Sequence, residues 1–245
     1  MGYEGGIEMK KTGIFQILVV LMITALCLVG TGGTKAEAAG QLADFSEAVA
    51  HHSQIVFVAA EGSRATVRMF QKTAAGEWQS ICWTPDAWIG KHGLGKTREG
   101  DGKTPIGIFT MQQAFGIQAD PGTRLPYTKV NSQHYWVDDV NSRYYNRMIR
   151  KDRAAADWNS GEHIVDYPVQ YAYAIAVDYN LDCVKGAGSG IFFHCSANKP
   201  TAGCVAVPER TMSAILQQIQ PDAVISIDTA ANIDSQIRSL QNRGH

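Results

Sequence analysis

Two residues of this chain, His194 and Cys204, have the types and spacing of a base beside a nucleophile. An apolar run from Ile191 to Phe193 ends in His194, a polar loop follows, and Cys204 sits behind Gly203 at the head of a second apolar run, Val205 to Val207. A strand, loop and strand of this length bring their ends together, so the imidazole reaches the thiol. Such a neighbour lowers a thiol pKa from about 8.5 and supplies thiolate near neutrality. Gly203 has no side chain and lets backbone N–H groups approach an attacked carbonyl, as an oxyanion site requires. The same atoms also suit a purely structural pair, or part of a zinc site in which Cys195 is a third ligand; no fourth ligand of suitable spacing is visible. Cys195 itself reads either as an inert interior thiol or as a redox partner for Cys204.

A second pattern misleads. The run Gly90-Lys-His-Gly-Leu-Gly95-Lys96-Thr97 fits the phosphate-loop string GxxxxGK[ST]. That string works only where a helix begins at the Lys-Thr and aims its amino terminus at phosphate. Here Gly100, Gly102 and Pro105 follow and would break such a helix. No nucleotide is therefore expected. The six glycines between positions 90 and 107 instead predict a tightly turning, closely packed backbone. Gly186-Ala-Gly-Ser-Gly190 likewise reads as a loop before a strand.

These side chains need elements to hold them. The chain has 245 residues, of which 45% are apolar, enough for one sizeable core. Strands are expected at Gln54–Ala59, Ala65–Gln71, Trp78–Trp83, Gly107–Gln112, Tyr171–Tyr179, Gly190–His194, Gly203–Val207 and Ala223–Ile227. Helical spacing appears at Gln41–His52, Tyr144–Asp157 and Glu209–Gln220. Strands dominate without regular βα alternation, so a mainly β, sandwich-like domain with a few helices is expected over 54–228. It follows a short segment at 40–53 and precedes a polar, frayed tail at 229–245. The aromatic-rich stretch 118–168 is either a capping element over a cleft or an insertion packed on the core. Cys82 and Cys183 would pair if their strands are neighbours.

Lys10 and Lys11 precede an almost wholly apolar run from Ile14 to Gly30, and Ala36-Glu-Ala38 follows. That order predicts a secretory leader over residues 1–39 and work outside the cytoplasm; if it stays uncleaved, the leader is the chain's sole membrane contact. The chain has 22 Lys and Arg against 23 Asp and Glu, and losing three of each with the leader leaves 19 against 20. With no basic excess, nucleic acid is not an expected partner.

The string Thr201-Ala-Gly203-Cys204 after His194 and the run Glu99-Gly-Asp-Gly-Lys-Thr-Pro-Ile-Gly-Ile-Phe109 together resemble the L,D-transpeptidase catalytic domain, the YkuD-type cysteine enzymes. Trp136-Val-Asp-Asp139 with Tyr145-Asn146, and Ala172 to Asn180, are similar to one branch of that family. The resemblance implies Cys204 as nucleophile and His194 as base, with a main-chain carbonyl such as that of Cys195 orienting the imidazole. Gly203 and the Cys204 amide would form the oxyanion site, Thr201 would take the Ser/Thr position, and Trp136, Asp139 and Tyr145 would contact substrate from the capping region. The implied substrates are peptidoglycan stem peptides, a tetrapeptide donor and a diamino-acid acceptor, with no metal or organic cofactor. Two departures stand out. Ala202 replaces a second His, and Ala206 lies near the usual Arg, so transpeptidation, L,D-carboxypeptidase trimming, other hydrolysis and a non-catalytic wall-binding module all stay open.

Overall fold

The computed structural model describes Met1 and residues 42–242; the expected leader, Met1 apart, lies outside the described residues. Three antiparallel strands form a meander, β1 (Gln54–Glu61), β2 (Arg64–Lys72) and β3 (Trp78–Trp88). β4 (Gly107–Thr110), β5 (Gln113–Gly116) and β6 (Tyr127–Lys129) follow, and then a small separate sheet of β7 (His134–Val137), β8 (Arg147–Arg150) and β9 (Gly161–His163). The chain continues through β10 (Ala174–Ala176), β11 (Phe192–Cys195) and β12 (Val205–Val207) to β13 (Val224–Thr229). The main sheet is mixed, in the order β4-β13-β1-β2-β3-β12-β11-β10-β5-β6, and the small one runs β8-β7-β9. The helices are α1 over 42–48, α2 (Glu209–Gln218) and α3 (Ala230–Gln241). The molecule is therefore a mainly β fold on a large curled mixed sheet.

Alternation along the strands explains how one sheet serves several cores. On β1, Val56 and Val58 enter the main core, which α2 covers with Met212, Ile215 and Leu216, while Ile55 and Phe57 point to the opposite face. On β11, Phe193 and Cys195 face that same main core, whereas Phe192 joins Trp136, Ile164 and Tyr171 in a third cluster. Two-sided burial of this kind reads as continuous apolar sequence rather than clean alternation.

Three expectations need correction. The helical spacing at Tyr144–Asp157 gives no helix: Asn146 takes a left-handed conformation (φ 59°), and Arg147–Arg150 pairs as a strand with β7. Over 229–242 the tail is not frayed. Ile233, Ile237 and Leu240 recur at helical spacing and form one apolar stripe on α3. That stripe packs with Phe57 and Val224, and the Thr229 hydroxyl caps the helix by accepting from Asn232 N at 3.3 Å. Finally, Cys82 and Cys183 are free thiols and do not pair. The third strand also outruns its expected end at Trp83. Pro85 lies where the pairing with β2 shifts register between Ala65 and Val67, so no ladder donor is missed there.

The docked helix is testable. Replacing Ile233, which is 1% exposed, by Ala removes its contact with Phe57 and should destabilise the fold by about 2–4 kcal/mol. Urea unfolding of the variant checks this; a frayed tail would show no change.

Candidate active site

β11 and β12 pair in parallel, with Phe193 opposite Val205 and His194 opposite Ala206. A hairpin would have joined adjacent ends. In parallel pairing the chain over 196–204 must instead run back alongside the sheet to restart beside β11. Phe192, His194, Cys204 and Ala206 then share one face, while Phe193, Val205 and Val207 share the other. His194 and Cys204 both line a cleft of about 570 Å³.

Hydrogen bonds fix each of them. The His194 Nδ1 lies 2.8 Å from the carbonyl oxygen of Cys195, so Nδ1–H donates there and the Nε2 lone pair is left for the cleft. Tyr171 packs edge-on against the imidazole, with ring centroids 5.6 Å apart. The Cys204 thiol donates to the Gly190 carbonyl at 3.2 Å and accepts from Phe192 N at 3.3 Å. At rest, therefore, the S–H is turned to the Gly190 carbonyl rather than to His194. The Cys195 thiol faces the main core, where it donates to the Tyr173 carbonyl at 3.4 Å, and it has no path to Cys204 on the opposite face.

The electrostatics overturn the expectation of a resting thiolate. Burial pushes the Cys204 thiol up to about 12, the charge of Glu162 adds to this, and the Phe192 N–H and the ammonium of Lys96 oppose it. Burial pushes the His194 imidazole down to about 4, only partly offset by its bond to Cys195. The pair is neutral near pH 7, because desolvation of both charged forms outweighs their mutual attraction.

The backbone behind the sulfur explains the glycines. Gly203 has φ 154°, and a Cβ there would lie 2.9 Å from the Lys103 carbonyl. Its N–H donates to the Thr201 hydroxyl at 3.1 Å, and that hydroxyl donates to the Cys204 carbonyl at 2.7 Å, closing a small turn. Thr104, fully buried, donates to the Gly203 carbonyl and accepts from Gly90 N, both at 2.8 Å. A Cβ on Gly90 would meet Gly102 O, so the glycine-rich segment serves as a closely packed brace for the 201–204 turn rather than as a phosphate cradle. Nor does a helix start at Lys96: its side chain, 3% exposed, pairs with Asp101 at 3.1 Å. Asp101 also accepts from the backbone of Thr97, Arg98 and Lys103, which holds its carboxyl well below the usual range against the opposing effect of burial.

The small sheet supplies one wall of the cleft through Trp136, Asp138 and Glu162. Of the substrate-contact residues expected there, Trp136 lines the cleft; Asp139 and Tyr145 do not. Asp139 turns away to accept from Asn141 N at 2.9 Å and Asn159 N at 2.8 Å. Tyr145 is fully buried; its hydroxyl donates to Glu99 at 2.6 Å and accepts from Gly188 N at 3.1 Å. Asn146 had drawn no role, yet its amide oxygen accepts from the Trp136 indole at 3.1 Å and from Gly190 N at 3.0 Å. It thus couples the cleft wall to the residue that holds the thiol. Asp138, Glu162, Tyr171 and Lys96 also reach the cleft, though the sequence had given none of them a role there. Among the described residues no group of three or more His, Cys, Asp or Glu side chains is placed to hold a metal ion.

Residues 59–227 match the family model for the YkuD L,D-transpeptidase catalytic domain, and the chain belongs to that family. No curated protein and no solved structure shows significant similarity to it.

Two pH dependences follow. Iodoacetamide labelling of Cys204, read by peptide mass spectrometry, should rise roughly tenfold per pH unit from neutrality up to pH 10 without the plateau near 8.5 that an ordinary thiol shows. His194 binds its proton less readily folded than unfolded. Its contribution is therefore intact above pH 6.5 and is lost as pH falls through about 4, a decrease of about 3 kcal/mol. Unfolding free energies of wild type and His194→Gln across that window should differ in slope accordingly.

Proposed function

We propose that this chain is an exported cysteine acyltransferase of peptidoglycan stem peptides, with Cys204 as nucleophile and His194 as its base. Membership of the family supports peptidoglycan as the polymer acted on. The observation that carries the assignment of residues is the placement of thiol and imidazole on one face of one cleft, the imidazole turned by its bond to Cys195. Export is proposed from the basic and apolar leader pattern, since the polymer lies outside the membrane.

The chemistry starts from the neutral pair. The thiol leaves Gly190 and gives its proton to His194 Nε2 as the sulfur attacks the carbonyl of the third stem residue. The developing oxyanion takes a hydrogen bond from the Cys204 N–H, because the Gly203 N–H is already spent on Thr201. Collapse of the adduct breaks the bond to D-alanine, whose amine takes the proton from His194, and a thioester remains on Cys204. The amine of a second stem then attacks the thioester. Its proton passes to His194 and on to the departing sulfur, giving a 3-3 cross-link and the free thiol. Water in place of that amine gives the trimmed tripeptide.

Intact-protein mass spectrometry after exposure to a carbapenem should show a stable adduct that maps to Cys204 and is absent in Cys204→Ala. Incubation with muropeptides should release D-alanine, and His194→Ala should slow that release by roughly two to four orders of magnitude. No adduct, or an adduct on Cys195, refutes the assignment.

A further inference from the structure

Of the charged groups lining the cleft, Lys96 and Glu99 are already satisfied, and Lys199 is an exposed residue of the 196–204 loop. Lys96 is paired with Asp101, and Glu99 accepts from Tyr145 and, at 2.8 Å, from Ser189. Asp138 and Glu162 differ. β7 and β9 pair with Trp136 opposite Glu162 and Val137 opposite Gly161, so Glu162 and Asp138, one residue past Val137, come to the same rim of the small sheet, and both line the cleft. The Asp138 Oδ1 is buried and has no hydrogen-bond partner among the described residues. Neither carboxyl joins an ion pair there; Glu162 has only the Tyr171 hydroxyl as a hydrogen-bonding neighbour. Burial and the charge of Asp138 push the Glu162 carboxyl up, partly offset by the Tyr171 hydroxyl, as happens where two acids share a site.

A buried carboxylate oxygen without a partner is costly, and a ligand that completes it is one of the few physical reasons for a folded protein to keep it. With only two carboxyls, and no third Asp, Glu, His or Cys beside them, the donor set is thin for a metal ion. It suits a primary ammonium, whose three donors match several carboxylate lone pairs. Trp136 and Tyr171 border the same space and offer apolar surface to an alkyl chain carrying that ammonium.

We propose that Asp138 and Glu162 are the specificity residues of this cleft and bind the side-chain ammonium of the diamino acid in the stem peptide. This rests on the acyltransferase reading above. The ammonium is that of the donor stem, because the acceptor's side-chain amine is the nucleophile that attacks the thioester and must be free and neutral to do so.

The test compares stem tetrapeptides with the side-chain amine free or acetylated, on wild type, Asp138→Asn and Glu162→Gln. D-Alanine release, read without an added acceptor, isolates the donor half-reaction. Acetylation should lower its kcat/KM on wild type by roughly tenfold or more, and either variant should bring the free-to-acetylated ratio close to one. Glu162→Gln also removes a negative charge acting on Cys204, so iodoacetamide labelling of that thiol should hold or rise, which separates lost recognition from lost fold. Equal rates of D-alanine release from the free and the acetylated tetrapeptide overturn the proposal. Absence of any carbapenem adduct on wild type overturns the underlying enzyme reading instead.

Discussion

The parallel pairing of Phe192–Cys195 with Val205–Val207 is the constraint on which the cleft depends. With period-two alternation, a slip of one residue would turn Cys204 or His194 into the main core and bring Val205 or Phe193 to the cleft. The register is held from both sides. Phe193, Cys195, Val205 and Val207 are fully buried in the main core, and Phe192 is locked among Phe115, Trp136 and Tyr171. Behind the returning chain, Thr201 N donates to the Ile89 carbonyl and Lys91 N to the Thr201 carbonyl, each at 2.9 Å. The turn before Cys204 is therefore clamped against the segment 89–104 along its whole length.

That clamping sets the electrostatics. A sulfur held by Gly190 and Phe192 in an apolar cluster, and an imidazole sealed by Tyr171, both lose their hydration, and each charged form becomes costly. The site holds no standing charge: the imidazole is oriented by its bond to Cys195, thiol and imidazole line one cleft, and on the proposed reading the ions form only when a carbonyl arrives to accept the electron pair. Asn146 ties this arrangement to the outer wall, since one amide oxygen serves both the Trp136 indole and the amide of Gly190.

Much of the architecture was legible in the amino acids. The meander, the strands flanking the loop, the helix after Pro208 and the structural use of the glycines near position 90 all follow from short apolar runs and turn residues. Where reading failed, the cause was long-range. Helical spacing at 144–157 lost to strand pairing with β7 and to the left-handed Asn146. The tail looked polar because its stripe of three apolar side chains is sparse, and it folds only because β1 and β13 offer a matching apolar face. Imidazole beside thiol suggested a thiolate, but burial is not written in spacing, and here it reverses the sign of both shifts. Glu162 lies in no motif, and Asp138 and Lys96 lie in strings that gave them no role at the cleft; the placement of the small sheet and of the 96–101 loop brings all three there.

A neutral sulfur has one more consequence. Peroxides and disulfides react with the ionised form of cysteine, and susceptibility to sulfenic and sulfinic acid formation tracks thiolate character and exposure. Cys204 is 8% exposed and burial raises its thiol, so an oxidant meets little of the reactive form at rest. The same burial that makes this sulfur slow to ionise also shields it as a free thiol.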